Sequence, residues 1–455
     1  MSKLWQKGVP MHSLIERFTV GEDPRLDLAL VGADCLASMA HAAMLEKIGI
    51  LSAAELAGLR EGLSEIIRLN AAGRFRIETA EEDCHTAIEN FLVARLGEAG
   101  KKIHTGRSRN DQVIAALRLY SRAFLLEFQR AAQGLVGTLL EFARLQERVP
   151  MPGRTHMQPA MPSSVGLWAA AYAEELLDDL ALAWAAYELN DACPLGSAAS
   201  YGVPLPLDRE MVADLLAFSR VQNNVLAANN SRGKTESVIL DAVEQVMLTL
   251  SRLAQDLILF SMPEFRYFTL PEELCAGSSI MPQKRNPDLL ELVRAKAAAV
   301  SARSVQLKSI LRAMPSGYNR DLQETKGAFM EGCADGLASV QVVDLLVGRL
   351  GVDEGRLLKG FTPEIFAADR ALQLAAAGTP FRDAYRQVAE DLAALEGLDP
   401  REAIARKKHT GAPGNLRLDV PLSRLAELRE LEARRRGHVE PKLRALAGFD
   451  VALYR

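Results

Sequence analysis

The chain has 455 residues, 49% of them hydrophobic and 25% charged, with a formal net charge of −4 at pH 7. That length is enough for two or three domains around a large buried core. The slightly negative charge, with basic residues scattered rather than clustered, argues against a nucleic-acid-binding surface.

The cysteines and the apolar segments indicate the compartment. The five cysteines lie far apart, without the spacing of a metal site or a disulfide framework, which fits reduced thiols in a cytosolic protein. No apolar run approaches the ~20 residues of a membrane span. Residues 1–10 lack the apolar core of a signal peptide. We therefore expect a soluble cytoplasmic protein without membrane contacts.

Residues 1–106 alternate short helical patterns with loops and are expected to form an N-terminal domain. Ser52 and Glu55 have the spacing of a capping box before a helix. A further helical pattern follows Asp83, and His85 lies at its start on an apolar face. Such a histidine is either buried with its hydrogen bonds satisfied or part of a functional site, and both interpretations stay open.

A long helix is predicted from Asp111 to Val149, because no proline occurs there and apolar residues recur at 113, 117, 120, 124, 128, 135, 139 and 142. At 1.5 Å per residue it would be roughly 55–60 Å long. Ser108 and Asp111 can cap its start, but Arg109 and Asn110 have no such structural role. Their guanidinium and amide groups at a helix start suit a carboxylate.

Two loops follow in which small and polar residues dominate. In the loop predicted at Pro152–Pro159, His156 lies beside Thr155 and is bracketed by prolines, which makes it a candidate general acid or base. The loop at residues 195–202 either allows a ligand to approach the backbone closely or simply turns the chain.

Two more long helices, Thr235–Ser261 and Asp288–Met314, carry apolar residues in alternating steps of four and three. That spacing is typical of helices that pack nearly parallel, at about 20°. Residues 107–360 are therefore predicted to form an elongated bundle of four or five long helices, and residues 361–455 a small domain of shorter helices. The predicted fold class is all-α.

The segment Gly277–Asp288 lies between those two helices, and helix packing does not explain its composition. Ser278 and Lys284 would lie near a helix N-terminus, which suits binding of carboxylate oxygens and stabilisation of a developing oxyanion. Asn286 is predicted to be the N-cap of the following helix, with Pro287 at its first position.

Three segments together resemble the fumarase/aspartase superfamily and, within it, the argininosuccinate lyase family. They are His104–Gln112 (HTGRSRNDQ), Gly277–Asp288 (GSSIMPQKRNPD) and Tyr318–Lys326 (YNRDLQETK). The segments occur in the family's order, Thr155-His156 matches the superfamily's threonine-histidine loop, and the likeness extends over nearly the whole chain. It implies three mainly helical domains with a central bundle of long helices.

The resemblance implies an anti β-elimination that splits argininosuccinate into L-arginine and fumarate, the last step of arginine biosynthesis. Ser278 would be the base that removes a proton from carbon. His156 would belong to the second proton-transfer site and be oriented by Glu291, while Lys284 and Asn286 would hold a substrate carboxylate. The acid and base roles of Ser278 and His156 can also be exchanged, and both assignments stay open.

Substrate-binding residues follow from the same likeness. The implied set is Ser108, Asn110 and Thr155 for the fumarate-forming half, Tyr318, Gln323 and Lys326 for the arginine half, His85 and Arg109 at the edge of the site, and Arg232, which aligns with a family arginine.

Three positions depart from the usual family pattern. Gly21 stands where many members have a substrate-contacting serine, and Arg154 stands where tyrosine is usual. Ser231-Arg232-Gly233 replaces a DRD segment while keeping its arginine. These differences bear on specificity for the amine half rather than on the reaction type.

The resemblance further implies a small-molecule substrate, no cofactor or metal, and a homotetramer whose active sites combine loops from three subunits. Two alternatives stay open. One is a related C–N lyase acting on another N-substituted aspartate, and the other is a non-catalytic structural protein of the crystallin kind. Joint retention of Ser278, His156, Lys284 and Asn286 argues against the second.

Overall fold

Helices dominate the computed structural model, which describes residues 12–454. Its α-helices, in chain order, are α1 Ser13–Val20, α2 Asp23–Leu26, α3 Val31–Lys47, α4 Ala53–Ala71, α5 Cys84–Leu96, α6 Glu98–Lys102, α7 Arg109–Leu145, α8 Val165–Asn190, α9 Arg209–Leu215, α10 Val225–Asn230, α11 Lys234–Ser261, α12 Asp288–Leu311, α13 Thr325–Val347, α14 Glu354–Lys359, α15 Ala367–Ala376, α16 Phe381–Glu390, α17 Pro400–Arg406 and α18 Asp419–Ala447. Short 3-10 helices lie at Asp27–Ala29, Glu272–Leu274, Arg320–Glu324, Pro363–Phe366 and Leu392–Leu395. The predicted all-α class is confirmed, whereas the expectation for residues 1–10 lies outside the described range.

Short strands in the described residues form three two-stranded sheets. The pairs are β1 Pro150–Thr155 with β2 Gln158–Ser164 (antiparallel), β3 Ala192–Cys193 with β4 Arg220–Val221 (parallel), and β5 Phe268–Thr269 with β6 Gly351–Val352 (antiparallel). The first pair is a hairpin, so the prediction of a plain loop at Pro152–Pro159 was wrong. Prolines concealed the strands, and a two-stranded sheet tolerates them because each strand has an edge without partners.

Five long helices form the bundle: α7, α8, α11, α12 and α13. Each of these helices runs antiparallel to the one before it in the bundle, as side-chain hydrogen bonds between them indicate. Trp168 near the start of α8 donates to Asp256 near the end of α11. Arg294 near the start of α12 donates to Gln255, also near the end of α11. All eight positions of the apolar stripe predicted for α7 are buried. A capping box of Ser108 and Asp111 starts that helix, as predicted.

Two glycines allow α13 to approach α11 closely. A Cβ added at Gly336 would lie 2.4 Å from Val243 Cγ1, and one at Gly332 would lie 2.7 Å from Leu240 Cδ2. These residues are four apart and share one face of α13. The face of α13 that carries the two glycines therefore sets the distance between α11 and α13.

The start of α12 differs from the prediction. Pro287 is the residue flanking the helix, and it provides no side-chain cap. Asn286 is held one position further out, because its backbone pairs with Ala276 through N–O distances of 2.8 and 3.1 Å. The prediction of Asn286 as N-cap was wrong, since this bridge keeps the residue outside the helix.

The last helix differs from the short elements before it. Residues 363–406 form short helices around a small separate cluster of Ala371, Val388 and Leu395. α18 is 29 residues long and returns to the main core, where Leu425 and Leu443 are buried. The boundaries 1–106, 107–360 and 361–455 remain a prediction.

Among the helices of residues 12–454, none combines by itself the length and the hydropathy that a membrane span needs. The segments Ser13–Ala29 and Val31–Lys47 meet the length and hydropathy criteria when they are taken together, but the chain bends by 80° between them.

The close approach of α11 and α13 predicts a stability difference between two glycine substitutions. Gly336→Ala should lower the free energy of unfolding by about 1–3 kcal/mol, because the new methyl group overlaps Val243. Gly437→Ala in α18 is the matched control, since nothing lies within 4 Å of its Cβ position. It should raise that free energy by about 0.4–1 kcal/mol. Urea unfolding measures both, and equal effects would contradict the packing described.

Candidate active site

The predicted site residues divide into two groups at opposite ends of the bundle. One group lies where α7, α11 and α13 begin, and the other lies where α12 begins, at the end that carries the β1–β2 hairpin. α12 has 24 residues, so about 36 Å separates the two ends. Within the described chain, one subunit therefore does not bring all the predicted residues together.

A cavity of about 160 Å3 lies at the first end. Seven predicted residues line it: His85, Arg109, Asn110, Arg232, Tyr318, Gln323 and Lys326. Four carboxylates that were not predicted as site residues also line it: Asp23, Asp27, Glu82 and Asp83. The cavity therefore presents both signs of charge over a short distance.

Lys326 is fixed between two of these carboxylates. Its side chain is 2% exposed, and its ammonium group lies 2.9 Å from Asp23 Oδ1 and 2.5 Å from Asp27 Oδ1. Burial disfavours the charged lysine, but the two carboxylates outweigh this effect and raise its pKa. Burial in turn raises the pKa of Asp23. Two of the three ammonium N–H groups are thus engaged, which leaves one for a ligand.

Arg109 is held in a similar way beside the start of α7. Its guanidinium lies 3.5 Å from Glu82 Oε2 and 3.4 Å from Asp83 Oδ2, and it donates to Thr86 Oγ1 at 2.7 Å. The neighbouring Asn110 side chain forms no hydrogen bond with any described residue. Its amide is therefore available to a ligand in the cavity, whereas Arg109 has a fixed orientation.

His85 combines the two interpretations that the sequence left open. It is buried, and its Nδ1 lies 3.0 Å from Asp34 Oδ2, while no described residue bonds its Nε2. Burial disfavours the charged ring, but the Asp34 carboxylate outweighs this and raises the pKa of His85. Despite its own burial, Asp34 has a lowered pKa because of the same pairing. A protonated His85 presents an Nε2–H donor, and the residue lines the cavity.

Three possible metal-ligand atoms, from Asp27, Cys84 and His85, lie within 4.8 Å of one another. Two of these donors are committed elsewhere: Asp27 Oδ1 to Lys326, and His85 Nδ1 to Asp34. Burial raises the pKa of the Cys84 thiol well above its ordinary value, which disfavours the thiolate that metals require. This cluster is therefore poorly suited to a cation.

Of the remaining predicted residues of the cavity, Tyr318 and Gln323 lie on the segment before α13, and Arg232 lies just before α11. Gln323 Nε2 donates to the Thr19 and Val20 carbonyls at 3.0 and 3.2 Å. The Arg232 guanidinium lies 5.5 Å from the Tyr318 ring centre. Gly21 has a φ of +55°, and a Cβ there would lie 3.5 Å from Gln323 Nε2. A side chain at position 21 would therefore reach the edge of the cavity, but in a strained backbone conformation.

The second end of the bundle carries the serine loop, residues 277–286. Ser278 Oγ accepts hydrogen bonds from the backbone N–H groups of Ile280 (3.4 Å) and Met281 (3.2 Å). Such donors favour a negatively charged oxygen. The Lys284 and Glu291 side chains are exposed, and the Asn286 backbone closes the loop against Ala276.

Thr155 and His156 are exposed at the tip of the β1–β2 hairpin. The turn consists of His156 and Met157, with φ values of 53° and 64°. Left-handed backbone costs a residue with a side chain about 1–2 kcal/mol, and strain of this kind is concentrated at functional sites. Among the described residues, His156 forms no hydrogen bond with Ser278 or Glu291.

Comparison with known proteins identifies the family. The sequence profile described as lyase matches residues 8–302. An argininosuccinate lyase of Sorangium cellulosum is 48% identical over 93% of this chain and 98% of its own length. The chain belongs to the argininosuccinate lyase family. Family members from Stenotrophomonas maltophilia (43% identity; 91% of this chain, 97% of the relative) and Thermotoga neapolitana (43%; 85% and 98%) are similarly related.

Solved structures agree on the fold. An EDDS lyase in complex with formate has a TM-score of 0.81 at 23% identity and covers 97% of this chain and 95% of its own. The class II fumarase of Schistosoma mansoni has a TM-score of 0.68 at 16% identity, over 85% and 94% of the two chains. At such identities the likeness establishes the shared helical fold alone.

The buried ion pair of Lys326 predicts a large effect on stability. Lys326→Met should lower the free energy of unfolding by about 3–5 kcal/mol, because two neighbouring carboxylates lose their buried counter-charge. Lys308→Met is the matched control, since Lys308 pairs with Asp241 at a half-exposed position and such pairs contribute about 0–1 kcal/mol. Denaturant unfolding compares the two. A small effect at position 326 would mean that its ammonium group mainly serves the ligand.

Proposed function

We propose that this protein is an argininosuccinate lyase, which cleaves argininosuccinate to L-arginine and fumarate by anti β-elimination. The observation that carries the proposal is the 48% identity to a relative of that name over nearly the full length of both chains. The cavity and the serine loop support it, because they offer the groups that this reaction requires.

Removal of a proton beside a carboxylate produces an intermediate with extra negative charge on that carboxylate. Ser278 is assigned as the base. Its oxygen accepts two backbone N–H bonds, which would stabilise the alkoxide that a serine must become to act as a base. Lys284 and Asn286, on the same loop, would hold the charged carboxylate.

His156 is assigned to the second proton transfer, at the departing guanidino nitrogen. Exposure at the hairpin tip lets an imidazole reach a substrate bound between subunits, and histidine suits proton donation near neutral pH. Glu291 would orient the ring, and Thr155 would contact the fumarate-forming half. No step in this scheme requires a metal or a cofactor, since side chains supply the charge stabilisation.

The cavity is assigned to the rest of the substrate. Arg109, with its fixed guanidinium, and the free amide of Asn110 suit carboxylate oxygens, and Ser108 lies beside them as the α7 cap. Four carboxylates line the cavity and are matched by Arg109, Arg232, Arg320 and Lys326, so the lining can meet both the anionic and the cationic groups of the arginine half. Tyr318, Gln323, Arg232 and His85 would border this half.

A complete site would then need more than one subunit. About 36 Å separates the serine loop from the cavity along α12. The bundle helices expose apolar side chains that a neighbouring subunit would cover, including Leu248 on α11, Leu292 and Val305 on α12, and Leu345 on α13. A homotetramer, with each site built from three subunits, would meet both needs.

A second candidate is a C–N lyase acting on another N-substituted aspartate. Gly21 favours it, because the glycine leaves the edge of the cavity beside Gln323 without a side chain. A structural role of the crystallin kind is opposed by the joint retention of Ser278, His156, Lys284 and Asn286.

The assignment of Ser278 predicts a contrast between adjacent serines. Ser278→Ala should abolish release of fumarate from argininosuccinate, followed by its ultraviolet absorbance, while substrate still binds in calorimetry. Ser279→Ala is the matched control and should retain most activity, since Ser279 is exposed and forms no side-chain hydrogen bond with a described residue. Wild-type protein that releases no fumarate would refute the proposed substrate. An active Ser278→Ala variant would refute only the choice of base.

A further inference from the structure

The turn that carries His156 has a sequence at odds with its conformation. Two-residue hairpin turns with positive φ at both positions are usually formed by Asn-Gly or similar pairs. Here His156 and Met157, with larger side chains, occupy both positions at φ values of 53° and 64°. Such a turn keeps one conformation only where its surroundings hold it.

Arg154 holds the His156–Met157 turn in this conformation. Its Nη1 donates to the Met157 carbonyl at 3.0 Å, and its guanidinium carbon lies 4.9 Å from the centre of the Phe265 ring. A planar guanidinium can stack by its face and donate by its edge at the same time, which a lysine ammonium cannot reproduce. Phe265 packs in turn against Phe260 and Tyr267 at the end of α11. The turn is thereby attached to the end of the bundle.

The strand also bends at this residue. The β1–β2 register shifts between Gly153 and Arg154, so that β2 has one residue more than β1. A bulge of this kind redirects the following side chains. It leaves the Arg154 side chain half-buried against Phe265 and the His156 side chain exposed.

We propose that Arg154 is a positioning residue that fixes the His156 turn for proton transfer. Its departure from the usual family residue then concerns the turn, because the guanidinium is engaged by the Met157 carbonyl and the Phe265 ring. The inference rests on the proposed function, because it assumes that His156 takes part in the elimination.

Kinetics of the full-length protein test this role. Arg154→Met should lower kcat for argininosuccinate about 10–100-fold, because a catalytic group displaced by about 1 Å loses rate on that scale. KM should change by less than about threefold, since other residues bind the substrate. Arg266→Met is the matched control: Arg266 is exposed one residue after Phe265 and has no side-chain partner among the described residues. It should leave both constants unchanged.

A second substitution separates positioning from a general loss of structure. In the Arg154→Met background, Met157→Gly should restore kcat to within about threefold of wild type, because glycine adopts positive φ without strain. A merely structural defect would not be repaired by a further loss of side-chain contacts. If Arg154→Met does not fold, Phe265→Leu, which removes only the stacking ring, should show the same selective loss of kcat and the same rescue.

Three results would overturn the inference. The first is an unchanged kcat in Arg154→Met. The second is a rise in KM alone, which would mean that the guanidinium binds substrate. The third is a loss of kcat that Met157→Gly does not restore. Inactive wild-type protein would instead refute the proposed function, so the two failures are distinguishable.

Discussion

The rigid length of the bundle helices is the constraint on which the rest of the structure depends. A helix advances 1.5 Å per residue and resists bending, so α12 holds the serine loop and the cavity about 36 Å apart. The chemistry assigned to these groups requires contact with one small substrate. The proposed assembly of several subunits would reconcile the two, and the same long helices expose the apolar side chains that assembly would cover. In the proposed account, the bundle both separates the groups within a subunit and joins them between subunits.

Charge compensation prepares each half of the site before a ligand arrives. At the cavity, Lys326 lies between Asp23 and Asp27, and Asp34 supports a protonated His85. Buried charges of this kind keep fixed positions because leaving them unpaired would be costly. At the other end, backbone N–H groups rather than side chains surround Ser278. The two ends therefore use different means to stabilise charge, and both are in place within a single chain.

Much of the fold could be predicted from the sequence, because helical periodicity and the Ser108 cap are local signals. The β1–β2 hairpin could not, since its prolines concealed the strand pattern, and Asn286 was misplaced because its partner Ala276 lies ten residues earlier. The cavity residues that match family motifs were identified in advance, but Asp23 and Asp27 were missed. Their only signal is a pair of carboxylates four residues apart in a short helical segment, and spacing alone does not reveal a lysine 299 residues away.

The central claim, that each active site combines the two ends of different subunits, is tested most directly by mixing two inactive variants. Ser278→Ala damages only the serine loop, and Asn110→Leu damages only the cavity. Each variant is refolded alone and then together with the other, and fumarate release is measured. The account predicts clear activity in the mixture, because some sites then combine an intact Ser278 with an intact Asn110 from another chain. A mixture as inactive as its two parents would contradict it.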